Sequence, residues 1–571
     1  MLSDLLLAAW IIGVAAALLL VAAPAVFSVR RHDRTVRAIE AAALLTLLTI
    51  VAVGMLSAGR LLNWFTLLLV CLSPPLVRWL RQHRWSVDRG ARETARRAAI
   101  AATHALEGRS WRRHVAEALR SGRARWAARL RAAGPLGDPG SDGAMVAGFL
   151  TAAAAVTIYL RFGPVFGDPR LGSPEAYAVL LQARQALANQ PGALLTPVTA
   201  ALAAAVSIAT SLNTVHVVRL MAPAVGVILV CAAALFARRM TASATVSVMV
   251  FWILGACTLG LGGEPPTEVG PAWILDRTLA RQWTAHDGTT ALLFLVLACI
   301  CLESWRRSRP AAVRGAAACS LIVGLASPWL LILLIPVGAA RFVPRNFRLV
   351  TIGTAWTAIT FVAASKGPSD VAFALPVAIA FLVSGVWGLL ADYASRIVRT
   401  DLRPAAAAVL VLTTLAMLPQ RTGGLYLEHE ITAVKTLEIA SVFPRGRWLI
   451  VAPIEQLAEV YGRGWFQDPV AFLDANAARA GDPSFAFDVS VDDLFVVVER
   501  VPFKTFASEA THVPFATLAD PSYRQYRSLA GRATLQAQLL RLCEAYRRTH
   551  DDASIYYEDA KITIYRIHLR A

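Results

Sequence analysis

Between residues 161 and 230 the chain reads RFGPVFGDPRLGSPEAYAVLLQARQALANQPGALLTPVTAALAAAVSIATSLNTVHVVRLMAPAVGVILV. The residue types of proton transfer and anion binding stand close together here: carboxylates at Asp168 and Glu175, a phenol at Tyr177, guanidinium groups at Arg184 and Arg219. A carboxylate within hydrogen-bond reach of a hydroxyl can take its proton, and a guanidinium grips phosphate through charge-assisted bonds. Three of these also have a bland reading. Asp168 precedes a proline and suits a turn. Glu175 suits the first turn of a helix, where the dipole favours an anion. Arg219 stands at the start of an apolar run, where a long side chain can snorkel.

A second segment, 260–288, reads GLGGEPPTEVGPAWILDRTLARQWTAHDG and adds Glu264, Glu268, Asp276, Arg277, Arg281, His286 and Asp287. Lys366 lies between two later apolar runs. Arg277, Arg281 and Lys366 are candidates for holding a phosphate, with solvated loop charges as the plainer alternative. Trp273 and Trp283 have the type found at membrane interfaces. The segments show no His-x-x-His or clustered-carboxylate spacing, so a metal site has no support and a divalent ion stays open.

These residues must be positioned by apolar elements. The chain has 571 residues, of which 56% are hydrophobic and 16% charged, with mean hydropathy +0.53. A soluble chain carries about 25% charged residues. The apolar residues come in blocks of about 16–24, a length that matches the roughly 30 Å hydrocarbon core of a bilayer. A soluble enzyme, a disulfide scaffold and a disordered chain are therefore excluded, and a polytopic α-helical membrane protein is expected. Spans are expected near 5–27, 36–57, 61–80, 145–161, 217–236, 242–262, 289–304, 313–326, 328–341, 347–365, 370–392 and 404–419. Pro328 bars a continuous hydrogen-bond ladder between two of these. The pair is either two short spans or one kinked span, giving 11–12 transmembrane helices by the numbering above.

The net charge of +18 comes almost wholly from arginine, since lysine occurs only at 366, 435, 504 and 561. Arginines follow particular spans, at 30–31, 81–131, 238–239, 306–309 and 341–348. That distribution is the positive-inside pattern, and it argues against nucleic acid as partner. Alternation then places 162–216, 263–288, 366–369 and 420–571 outside, with both termini outside. The first block carries Asp4 before it and arginines after it, which disfavours a cleaved signal peptide. The basic segment 81–144 is either a solvated cytoplasmic hairpin or a surface helix on anionic lipid. Six of the seven cysteines lie in or beside apolar blocks, and Cys543 stands alone in the polar tail. No disulfide is expected within that tail.

From about 420 the composition changes. Short apolar runs at 448–452 and 494–499, and the alternation around Ile562 and Ile564, read as strands. Segments 454–461, 470–480 and 535–548 read as helices. About 150 residues suffice for one soluble α/β domain. No Gly-rich phosphate loop and no internal repeat is present.

A span, an outer loop with acids, the Glu175-Ala176-Tyr177 helix start, interfacial helices and a span ending in Ala237-Arg238-Arg239 resemble the membrane glycosyltransferases of the GT-C superfamily. The resemblance covers the topology of 145–419 and the tail 420–571, with 1–80 as a three-helix addition. It implies a polyprenyl-phosphate-sugar donor, of the mannosyltransferase or arabinosyltransferase kind, and a catalytic acid in the first outer loop. Glu175 or Asp168 would then be the general base, with Tyr177, Arg184, Arg219, Glu264, Glu268, Arg277, Arg281 and Lys366 around the substrate. The family's acidic pair is not intact, because Pro174 stands where one acid would fall. The setting implied is a bacterial inner membrane, with the tail on the exocytoplasmic side and membrane lipids as neighbours. The sugar and the acceptor stay open. Two rivals are a transporter or flippase of a lipid-linked substrate, and a non-catalytic scaffold presenting its tail. Transport ranks lower, since the spans hold few acids or lysines and no matching halves.

Overall fold

The computed structural model describes residues 34–71, 141–190, 196–256, 283–366, 369–398, 428–503 and 529–569, apart from scattered positions within and between those ranges. The expected spans 5–27 and 404–419, most of 61–80, the basic segment 81–140 and the loop 257–282 lie outside the described residues.

Apolar composition produces a bundle of helices. They are α1 (Arg34–Ala58), α2 (Ser141–Phe162), α3 (Pro174–Leu187), α4 (Val198–Thr210), α5 (Thr214–Thr241), α6 (Ala244–Ala256), α7 (Asp287–Glu303), α8 (Arg309–Ala326), α9 (Leu334–Ala339), α10 (Arg345–Lys366) and α11 (Leu375–Val398). Among the described residues three helices are long and apolar enough to cross a membrane, at Thr35–Ala58, Thr214–Thr241 and Val371–Val398. Shorter apolar helical stretches of 10–17 residues lie at Ala152–Phe162, Val198–Thr210, Thr245–Gly255, Pro310–Ala326 and Pro328–Phe342. At the open question of Pro328, α8 stops at Ala326 and a 3-10 turn, Pro328–Leu333, leads into α9. Proline without its N–H starts a new helical segment there and cannot continue the old one.

Large apolar side chains face outward as well as inward. Met55 on α1, Leu321 on α8, Phe361 and Val362 on α10, and Leu390 and Ile397 on α11 are all exposed. In water such a surface would be unfavourable over so many neighbouring helices.

Contacts sort the helix ends into two groups. At one end, Ser57 Oγ donates to Ala186 O at 3.1 Å, and Asn189 bonds both the N–H and the C=O of Leu62. Asp287 accepts from Thr199 N at 2.7 Å, and His286 stacks on Phe373 with centroids 4.4 Å apart. At the other end the arginines gather. Arg239 donates to Ser304, Arg341 to Leu302 O, Arg345 to Arg239 O, and Arg314 pairs with Glu40.

The C-terminal region is α12 (Glu430–Val442), β1 (Trp448–Val451), α13 (Glu455–Val460), β2 (Trp465–Gln467), α14 (Pro469–Asn476), β3 (Asp493–Glu499), α15 (Leu529–Thr549), β4 (Ala553–Glu558) and β5 (Ile562–His568). The strands form one sheet in the order β2-β1-β3-β5-β4, with β1 parallel to β2 and β3 and the remaining pairs antiparallel. β1 and β3 are buried throughout, so both read as nearly unbroken apolar runs. The two-residue period sends Ile450, Phe495, Val497 and Ile564 toward α12. It sends Leu449, Val451, Val496 and Val498 into the core shared with Leu535, Leu539 and Leu542 of α15, a core continuous with that of the bundle. A buried Arg532–Glu499 ion pair at 2.6 Å joins α15 to β3.

Close helix contact at α10 and α11 depends on missing side chains. A Cβ on Gly353 would lie 2.5 Å from Leu382 N, whereas one on Gly338 in α9 would meet nothing within 4 Å. Gly353→Ala should therefore lower stability by about 1–3 kcal/mol through overpacking. Gly338→Ala should be neutral or slightly stabilising through helix propensity. Thermal unfolding of the two variants in detergent checks this contrast.

Candidate functional site

After α2 the chain turns through Phe162–Phe166 hydrogen bonds into an irregular segment closed by a helix cap. Ser173 Oγ accepts from Ala176 N at 3.3 Å, Pro174 occupies the first helical position, and Glu175 sits in the first turn, buried. This is the start that Ser-Pro-Glu dictates: a side-chain acceptor, a residue with no N–H to satisfy, and an anion at the positive end of the dipole.

Asp168 lies just before that cap, its side chain 15% exposed. Its Oδ1 accepts from Arg170 N and Nε, each at 3.0 Å, and its Oδ2 from Arg170 Nη2 at 2.7 Å and Nε at 3.2 Å. A carboxylate offers about four acceptor positions, and Arg170 fills them. Arg170 Nη1 also donates to Glu428 O at 3.3 Å. Arg219, buried near the start of α5, donates from Nη1 to the main-chain oxygen of Asp168 at 2.8 Å. Asp168, Arg170 and Arg219 thus form one cluster. Glu175 follows it in the chain, in the first turn of α3.

Tyr177 and Arg184, both expected around a substrate, have their polar groups engaged by the C-terminal region. Tyr177 OH donates to Glu428 Oε1, and Gln456 Nε2 donates to Glu428 Oε2. Burial pushes the Tyr177 phenol well above its usual value of 10.0, and the carboxylates of Glu428 and Glu459 push it further. The phenol therefore stays a donor. Arg184 Nη1 donates to Ala458 O at 2.9 Å and to Glu459 O, capping the carbonyl end of α13. Its Nη2 reaches Asn213 Oδ1 at 3.3 Å, the atom that also caps α5. Burial draws the guanidinium down to about 10, so it is charged at neutral pH and suits the negative end of the α13 dipole.

The second loop divides differently. His286 Nδ1 accepts from Gly288 N at 2.8 Å and caps α7. Trp283, expected at a membrane interface, is buried beside Gly226, with the Arg161 guanidinium 4.3 Å above its ring. Glu264, Glu268, Asp276, Arg277 and Arg281 lie outside the described residues. Lys366 closes α10. Among the described residues no three His, Cys, Asp or Glu side chains group as a metal site.

Sequence reasoning did not single out Arg170, Glu428 or Gln456. The Asp-Pro-Arg spacing carried a local signal for Arg170. Glu428 carried none, because its partner Tyr177 is 251 residues away.

Removing the hydroxyl in Tyr177→Phe leaves a buried carboxylate short of a donor and should cost about 1.5–3 kcal/mol. Because the folded state keeps a proton that an unfolded tyrosine loses near pH 10, this bond's contribution is complete below about pH 10 and falls as pH rises beyond it. Unfolding temperatures above pH 10 should drop more steeply for the native chain than for Tyr177→Phe; parallel slopes would contradict this. No protein-family model matches the chain, and no curated protein matches it.

Proposed function

We propose that the chain is a multi-pass membrane glycosyltransferase. It transfers a sugar from a polyprenyl-phosphate donor to an acceptor at the outer face of a bacterial cytoplasmic membrane. The observation that carries this reading is the cluster of Asp168, Arg170 and Arg219, followed in the chain by the Glu175 helix start, at one end of an apolar bundle and away from the arginine-rich turns. Outward-facing apolar residues on α1, α8, α10 and α11 support lipid as their surroundings. The docking of the C-terminal region on α3 supports a common side for that region and the acid-bearing segment.

In this reading the acceptor oxygen bonds to the anomeric carbon as the bond from that carbon to the phosphate oxygen breaks. The phosphate leaves with the electron pair, and a carboxylate takes the acceptor proton. Glu175 is that base. Asp168, whose lone pairs Arg170 fills, is a positioning residue: its carboxylate orients Arg170 and its carbonyl orients Arg219. The two guanidinium groups stabilise charge developing on the departing phosphate. Arg277, Arg281 and Lys366 are further phosphate contacts in the same reading.

The test is transfer of labelled sugar from polyprenyl-phosphate donors by the purified full-length protein. Glu175→Gln should lower kcat about 100-fold or more. Asp168→Asn should keep measurable turnover while raising KM for the donor. Full activity in Glu175→Gln removes the base assignment. Absence of transfer by the native protein from any polyprenyl-phosphate sugar removes the activity.

A further inference from the structure

At one end of the sheet two turns meet in a basic corner, with Arg445 exposed and Arg463 half-buried, that the proposed chemistry does not use. Gly446 leads into β1 and Gly462 follows α13, each with φ +74°. Gly446 N donates to Arg463 O at 2.9 Å, which sets Arg445 and Arg463 on adjoining turns. Trp465 follows on β2, beside Leu449 of β1, and its Nε1 donates to Gly446 O at 3.0 Å. The ring is 61% exposed although its one polar atom is satisfied. Arg447 pairs with Asp492 at 2.7 Å. Among the described residues neither Arg445 nor Arg463 has an ion-pair partner.

The corner adjoins the bundle. Tyr461, just before the turn, donates to Gln190. Its neighbour Asn189 holds Leu62, where the chain leaves α1. Arg463 is also close enough to Arg184 for its charge to help lower the Arg184 guanidinium. On the α1 side the surface continues with exposed Leu61, Trp64, Phe65, Leu68 and Leu69. An exposed tryptophan alone would suit a sugar ring equally well. Two unpaired guanidinium groups beside it call for an anion, and the apolar flank calls for a bilayer next to that anion.

We propose that this corner rests on anionic lipid headgroups, with Arg445 and Arg463 on the phosphates and the Trp465 ring at the headgroup boundary. Tryptophan favours that depth, and basic side chains near an anionic surface gain about 1 kcal/mol each, about fivefold in partition. The inference rests on α1 as a membrane span and is independent of glycosyl transfer. Its effect would be to hold the C-terminal region down on the membrane at a second point besides α3.

The experiment uses the full-length protein in nanodiscs of phosphatidylcholine alone, or of phosphatidylcholine and phosphatidylglycerol in equal parts, with acyl chains brominated near the headgroup. The contribution of Trp465 is the emission difference between the native chain and Trp465→Phe. It should be quenched in the anionic discs and much less in the neutral ones. An Arg445→Glu/Arg463→Glu variant should lose the charge-dependent part, the two sites together weakening partition more than tenfold. Arg445→Lys/Arg463→Lys should retain most of it. Unfolding temperatures in detergent verify that each variant folds. Three results overturn the proposal: no quenching in either disc, quenching insensitive to lipid charge or to the glutamate pair, or protection of Trp465 by a soluble oligosaccharide without response to lipid.

Discussion

The architecture depends on one buried carboxylate. Glu428 takes a phenolic hydroxyl from α3 and an amide from α13, and its main-chain oxygen takes a guanidinium N–H from Arg170. A carboxylate removed from water is tolerated only when its lone pairs are filled. Tyr177 of α3 and Gln456 of α13 supply donors to that carboxylate, while the Asp168 turn joins through Arg170 on the backbone oxygen of the same residue. The residue therefore couples the sheet-bearing region to the segment that holds the acids. Arg184 strengthens the same junction by capping α13 with a positive group where carbonyls are left over. The direct consequence is that Asp168 and Arg170 are ordered by a contact made far along the chain.

A second constraint comes from the bundle. Helices that are apolar on several sides cannot be sorted by amphipathicity, so their ends carry the information. The arginines near Arg239, Arg314, Arg341 and Arg345 reach main-chain oxygens, hydroxyls or Glu40 at one end. At the other end the partners are Ser57, Asn189, Thr199 and Asp287, short polar groups that bond backbone and caps. Asp168, Arg170 and Arg219 lie at this second end.

Much of this was legible from residue order. Ser173-Pro174-Glu175 announced its own cap, the short runs of Val, Leu and Ile announced β1 and β3, and the apolar blocks announced α1, α5 and α11. Local chemistry decides those features. What escaped was non-local. Tyr177 and Arg184 looked like substrate contacts because nothing near them in sequence consumes their polar groups; Glu428 and the end of α13 do so from more than 250 residues away. The short strands β2 and β4 escaped for another reason. They lie at the two margins of the sheet, where half-exposed residues blur the two-residue alternation.

The joint at Asn189 bears on the first helix of the bundle. Its side-chain amide both accepts from and donates to the backbone of Leu62, and it sits at φ +53°, a conformation asparagine adopts more readily than most residues. Farther down, α1 lies against α8 so closely that a Cβ on Gly315 would meet Glu40. The helix that looks like a leading appendage in the linear order is thus a wall of the bundle and a support for the C-terminal end of α3. Trimming the protein to the part after residue 140 would strip that wall away and leave Arg314 without its carboxylate.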